Sequence, residues 1–174
     1  HINAIDYNEE LDQIVMSSRF QDEIYIIDHS TTTEEAASHS GGNSGMGGNF
    51  LYRWGNPENY DRGNASDAIL NDQHSVNWID AGYPGAGNLI LFNNKQTNST
   101  SSGLELVPPL LEDGTYRLDE GIPYAPTGPE WLYHPGGTFY TQVQGGAFRL
   151  PNGNTFLTEA DDTKMREVDL NGEI

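Results

Sequence analysis

The sequence predicts an all-β protein: antiparallel four-stranded blades of an incomplete β-propeller. Three observations predict it. Short apolar or alternating runs bounded by turn residues recur along the chain, while helical periodicity is nearly absent. Gly and Pro contribute 20 and 9 of 174 residues, which suits turn-rich β structure and falls short of a disordered composition. The run of strands also repeats. The second strand of each round begins near Ile14, Leu89 and Thr155, spacings of 75 and then 66 residues. Four antiparallel strands per repeat is the grammar of a propeller blade, and a propeller typically closes with four to eight blades. A small β-sandwich is the alternative architecture.

The first blade, residues 1–60, opens with a strand over His1–Tyr7, followed by a turn at Asn8-Glu9-Glu10. Strands follow at Gln13–Ser18, Glu23–Asp28 and Phe50–Trp54. The second blade, 73–134, repeats the pattern at His74–Asp80, Asn88–Asn93, Gly103–Val107 and Glu130–Tyr133, with its first turn around Gly82–Gly87. A partial blade, 145–174, holds Gly146–Leu150, the turn Pro151-Asn152-Gly153, Asn154–Glu159 and Met165–Asp169. About two and three-quarter blades are thus expected, with raw blade faces left for the missing part to cover. Two inserts interrupt the repeat. Ser30–Asn49 is rich in Thr, Ser and Gly and reads as a flexible connector; no Lys-Ser or Lys-Thr follows its glycines, so it is no Walker loop. Pro108–Pro129 reads as a surface loop between the third and fourth strands of the second blade.

Charge and composition exclude several function classes. Eight Lys and Arg against 26 Asp and Glu give a net charge of −18, a field that repels phosphate backbones, so neither nucleic acid nor an anionic membrane surface is an expected partner. No apolar run approaches the roughly 20 residues of a membrane span. The chain has no Cys, which removes disulfides, thiolate metal sites and Cys nucleophiles. It starts at His1 and stops in what reads as a turn entering a strand, so it is expected to be a piece of a longer protein. The triplets Asn64-Ala65-Ser66 and Asn98-Ser99-Thr100 read as chance matches to a glycosylation acceptor.

Of the five histidines, His39 and His134 read as bystanders, and His29 follows a strand end. His1 and His74 differ, because each opens the first strand of its blade. In a propeller that strand is innermost, so the two imidazoles are expected to converge at one mouth of the channel. Asn3 lies two residues after His1, which on a regular strand puts it on the same face. Arg19 ends the second strand. Two imidazoles, a guanidinium and an amide suit a small tetrahedral oxyanion: Arg offers a fork of donors, Asn a neutral donor, and His can be nucleophile, acid or base.

Beyond that set, the segment His1-Ile2-Asn3-Ala4-Ile5-Asp6-Tyr7-Asn8 and the following Ile14-Val15-Met16-Ser17-Ser18-Arg19 resemble the His-x-Asn strand and Ser-Ser-Arg strand end of the arylsulfate sulfotransferase family. These are bacterial PAPS-independent enzymes with a six-bladed propeller. Gln73-His74, Trp78-Ile79 and Gly87-Asn88-Leu89-Ile90-Leu91-Phe92-Asn93-Asn94 resemble the family's segment around its nucleophilic histidine. Tyr52–Pro57 and Arg149–Thr155 are further family-like phrases. The resemblance implies that His74 takes a sulfuryl group from an aryl sulfate as a sulfohistidine and passes it to a phenolic acceptor. It implies that His1, Asn3 and Arg19 hold the sulfuryl oxygens, that His1 assists proton transfer, and that no metal or organic cofactor is needed. It also implies a periplasmic or extracellular location and the remaining propeller blades, or another chain, as partner. The family's further active-site histidine lies upstream of the His-x-Asn strand, where this chain does not reach, so the fragment is expected to be inactive by itself if that group is essential.

Two other readings compete. One is a secreted propeller that binds glycans or proteins, its histidines vestigial. The other is a copper site of histidine-brace type, using the amine and imidazole of His1 with His74. Asp169-Leu170-Asn171-Gly172-Glu173 lacks EF-hand spacing for calcium.

Overall fold

The computed structural model describes residues 1–174. It is all-β, with three antiparallel sheets in which each strand pairs with its neighbours in sequence. The first sheet contains β1 (Ile2–Asn8), β2 (Gln13–Ser18), β3 (Glu23–Asp28) and β4 (Tyr52–Trp54). The second contains β5 (His74–Trp78), β6 (Leu89–Thr97), β7 (Thr100–Leu106) and β8 (Trp131–Tyr133). The third contains β9 (Gly146–Arg149), β10 (Thr155–Glu159) and β11 (Lys164–Val168). Alternation drives the outer rounds: in β10 Thr155, Leu157 and Glu159 are buried while Phe156 and Thr158 are half-buried. In the middle sheet β6 is buried on both faces because a layer packs on each side; in β3 Ile24 and Ile26 join the core against the second sheet, while Tyr25 stacks on Phe50 and Glu23 pairs with Arg53.

The sheets stand side by side through their first strands. The Asn3 side chain donates to the Gln73 carbonyl at 2.7 Å, and Asp6 accepts from the Trp78 N–H at 2.9 Å. Residue numbers rise together on the two strands, so β1 and β5 run in the same direction. Asn77 makes the corresponding step from β5 to β9, donating to the Ala147 carbonyl at 3.0 Å. Meander sheets whose first strands neighbour one another in parallel are consistent with consecutive blades of an incomplete propeller.

Two apolar clusters fill the gaps between sheets. Val15, Ile24, Ile26, Tyr52, Trp54, Val76, Leu89, Leu91 and Leu104 belong to one, between the first two sheets. Ile90, Phe92, Phe139, Ala147, Leu157 and Val168 belong to the other, between the second and third. Each of the large aliphatic side chains contributes about 1.5–3 kcal/mol by leaving water. The second gap is narrow. A Cβ on Gly103 would lie 2.6 Å from Leu157 Cδ2, so the glycine lets β7 meet the third sheet.

Two features differ from the sequence expectation and a third extends it. The β6–β7 hairpin reaches Thr97 and Thr100, well into the polar run that reads as loop. Asn93, Asn94, Ser101 and Ser102 are all buried there and hydrogen-bonded. The insert over residues 30–49 is more than a connector. It carries helix α1 (Thr33–Ala36), capped by Thr32 and Glu35, and it closes around Asp28. That carboxylate accepts four bonds, from the backbone N–H and hydroxyl of both Ser30 and Ser44. The insert over residues 108–129 is a largely exposed surface loop, as expected, but it is anchored. It crosses to the first sheet, where Tyr116 donates to Gln13, Gln13 to the Gly114 carbonyl, and Tyr52 and Trp54 to the carbonyls of Ala125 and Pro126.

Candidate functional site

The candidate residues gather where the first strands begin. Both strands are irregular at that end: the β1–β2 register shifts between Ile2 and Ala4, and the β5–β6 register between His74 and Asn77. Bulges of this kind re-aim side chains. They also interrupt period-two alternation, so the sequence argument for a shared His1–Asn3 face does not carry across the bulge. Ser75, directly after His74, has φ 61°, a left-handed conformation uncommon for a non-glycine residue.

His74 is buried, with 8% exposure. Its Nδ1 lies 2.9 Å from the Asp72 carbonyl and 2.7 Å from Asn94 Oδ1, and its Nε2 lies 3.3 Å from the Gln144 backbone nitrogen. Asn94 comes from β6, and Gln144 from the turn that enters β9. The ring is therefore gripped by two sheets.

Arg19 follows β2 and reaches the same strand start. Its Nη2 lies 3.2 Å from Asp72 Oδ2, and Lys95 Nζ lies 2.6 Å from the same oxygen. Burial pushes the Asp72 carboxyl up, but Lys95 and Arg19 outweigh it and hold the group below its usual range. Asp72 is fixed further by its N–H, which donates to Asp22. Burial raises the Asp22 carboxyl, partly offset by that bond. The Arg19 guanidinium also sits 5.2 Å from the Phe20 ring centroid.

Asn3 is tied to the residue before His74 through the Gln73 carbonyl. The buried Gln73 amide donates toward Ser17 Oγ and the carbonyls of Ser18 and Glu23, joining β5 to the end of β2. His1 is exposed, with its ring 5.8 Å from that of Phe20, and it makes no side-chain hydrogen bond to His74. Its carbonyl accepts the Arg19 N–H at 3.1 Å. Asn3 and Arg19 thus meet the Asp72–His74 segment directly, while His1 belongs to the cluster through Arg19 and Phe20.

The arrangement combines an imidazole of fixed orientation with two cations and a side-chain amide. Arg19 and Asn3 keep donors beyond those used in the contacts above, since guanidinium has five N–H groups and the amide two. Asp72, Lys95, Asn94 and Gln144 were not singled out by the sequence argument. Asn94 falls within the resembling segment, but a polar residue in a strand carries no periodic signal of its role. The other histidines lie elsewhere. His29 pairs with Asp12 at 2.7 Å, His39 contacts Asn49, and His134 contacts Thr100. The His29 and Tyr7 hydrogen bonds lower the Asp12 carboxyl. A cavity at the opposite ends of β1 and β5, lined by Tyr7, Glu9, Trp78 and Asp80 among others, holds none of the candidate residues. No group of three or more His, Asp or Glu side chains is set to hold a metal ion, and no helix is long and apolar enough to cross a membrane.

No curated protein matches the chain. Residues 1–111, which include His1, Asn3, Arg19 and His74, match the family model Arylsulfotransferase (ASST). That match spans well over half of the 174 residues, and on it the chain belongs to the arylsulfotransferase family.

Proposed function

We propose that this chain contributes the sulfuryl-transfer site of an incomplete β-propeller, with His74 as nucleophile and Arg19, Asn3 and His1 around the sulfuryl oxygens. The observation that carries the reading is the meeting of Arg19 and Asn3, from the first sheet, with the Asp72–His74 segment of the second. Family membership supplies the reaction class, sulfuryl transfer between aryl sulfate and phenol.

The step balances without a metal or redox partner. The Nε2 lone pair of His74 attacks sulfur, the sulfur–aryl oxygen bond breaks, and the phenolate leaves with the bonding pair. The product is an N-sulfonated imidazole that keeps its Nδ1 proton. An acceptor phenol then gives its proton to His1 and attacks sulfur, and the nitrogen–sulfur pair returns to Nε2. Splitting one transfer into two attacks is covalent catalysis. Arg19 and Asn3 donate to oxygens whose charge is spread in a loose transition state, where positioned donors are most effective.

The test is incubation of the complete protein that carries this sequence with 4-nitrophenyl sulfate, then mapping of the sulfated peptide and measurement of nitrophenol release. The expected result is one sulfuryl group per chain on His74 and loss of release in His74→Ala. Release unchanged by that substitution, or sulfation on another residue, overturns the proposal.

A further inference from the structure

We infer that Asn94 is the positioning residue that holds His74 in the tautomer with its proton on Nδ1, leaving Nε2 bare. The inference rests on the proposed role of His74 and names the group that makes its attacking nitrogen available.

Three sets of contacts determine the tautomer, each by the chemistry of the partner. The Asn94 amide nitrogen faces two carbonyls, those of Thr141 at 3.0 Å and Gln144 at 2.8 Å. A carbonyl only accepts, so the NH2 group must point there and Oδ1 must face the imidazole. Nδ1 then meets two acceptors, Asn94 Oδ1 at 2.7 Å and the Asp72 carbonyl at 2.9 Å, so Nδ1 carries the hydrogen. Nε2 meets a donor, the Gln144 backbone N–H at 3.3 Å, so Nε2 presents its lone pair. The reversed tautomer would set Nε2–H against N–H and leave Nδ1 facing two oxygens with nothing to donate. Burial makes that mismatch costly, because Asn94 is fully buried and water cannot replace the lost partners.

The Gln144 contact has a further consequence for the reaction. It is the longest of the set, and Gln144 has φ 61°. A sulfur atom arriving at Nε2 displaces a weak bond, and the released N–H is left beside the incoming sulfuryl oxygens. Asn94 thus sets the proton, and the Gln144 N–H marks the side from which sulfur enters.

The full chain labelled with 15N-histidine gives the direct test, since long-range 1H–15N correlations report which ring nitrogen is protonated. Wild type should show His74 with a bare Nε2 near neutral pH. A protonated Nε2 in the neutral ring overturns the inference without any variant. Asn94→Ala should mix the two tautomers and lower kcat for transfer from 4-nitrophenyl sulfate about tenfold or more, with KM little changed. A pure Nδ1–H tautomer in a folded Asn94→Ala chain also overturns it, because Asp72 and Gln144 would then suffice. If Asn94→Ala does not fold, the wild-type spectrum alone decides. Failure of the sulfotransfer reading is separate: it would appear as a bare Nε2 that never becomes sulfated.

Discussion

The buried ion pair between Arg149 and Glu105 offers the sharpest test of how the sheets are held. Arg149 on β9 and Glu105 on β7 are 1% and 6% exposed at their side chains. Glu105 also accepts from Asn88 at 2.6 Å, and Arg149 donates to the Gly153 carbonyl at 3.1 Å while its guanidinium lies 5.4 Å from the Trp131 ring. Replacing Glu105 by Ala leaves a guanidinium buried with only a carbonyl and a ring face. Losing one partner of such a pair costs about 3–5 kcal/mol. The net charge of −18 acts in the other direction, since removing one carboxylate relieves repulsion. That repulsion is diffuse and screened beyond about 8–10 Å, whereas Arg149 is in contact, so the local term wins. With a urea slope of about 2 kcal/mol/M, the unfolding midpoint of Glu105→Ala should fall by about 2 M. The double variant Glu105→Ala with Arg149→Met removes both charges and should recover more than half of the loss, a coupling that a double-mutant cycle measures. A single variant within about 1 kcal/mol of wild type, or a double variant whose loss is the sum of the singles, refutes the account.

Three other outcomes follow from particular contacts. Tyr116→Phe removes the 2.8 Å bond to Gln13 that ties the 108–129 insert to the first sheet; it should cost about 1 kcal/mol and speed proteolysis within the insert. Asp28 is pushed up by burial, but the Ser30 and Ser44 bonds prevail and lower it below the ordinary aspartate value of 3.8. Its contribution is therefore complete above that pH and lost as pH falls through the lower folded value, so amide protection at Ser30 and Ser44 should disappear in that acid window and not on raising pH. Asp72→Asn removes the one carboxylate shared by Arg19 and Lys95, and calorimetry should show inorganic sulfate binding about tenfold tighter; unchanged or weaker binding would place the oxyanion away from these cations.

Strand existence was legible in the sequence because turn residues punctuate it. All eleven strands lie at or within a few residues of the runs bounded by Gly, Pro, Asn and Asp. Repeat equivalence put His1 and His74 at matching strand starts, and His74 opens β5 while His1 stands one residue ahead of β1; where their rings point depends on the bulges, which no local pattern announces. What escaped is polar burial. Asn94, Ser101 and Ser102 look like loop because hydropathy records only what leaves water, not what finds a hydrogen-bond partner after leaving it. The inserts escaped for a related reason. Asp28, Gln13 and Tyr52 each bind segments 16 to more than 100 residues away, and no local pattern encodes such a partner.

An acidic chain can still gather basic side chains at one place, where β1 and β5 begin. Arg19 and Lys95 are two of only eight basic side chains, and both converge on Asp72. Asp72 accepts from both cations and Asp22 stands beside them, so two basic side chains are held by two carboxylates one residue from Gln73 and two from His74. The bulges at Asn3 and Ser75 then turn their side chains out of simple alternation. Parallel first strands make the geometry follow from repetition: each new round of the meander begins at the same end as the last, so the second sheet delivers an imidazole where the first has delivered an amide and a guanidinium. The third round adds the Gln144 N–H at that end as well. One structural period, used three times, thus assembles groups that lie more than 140 residues apart in sequence.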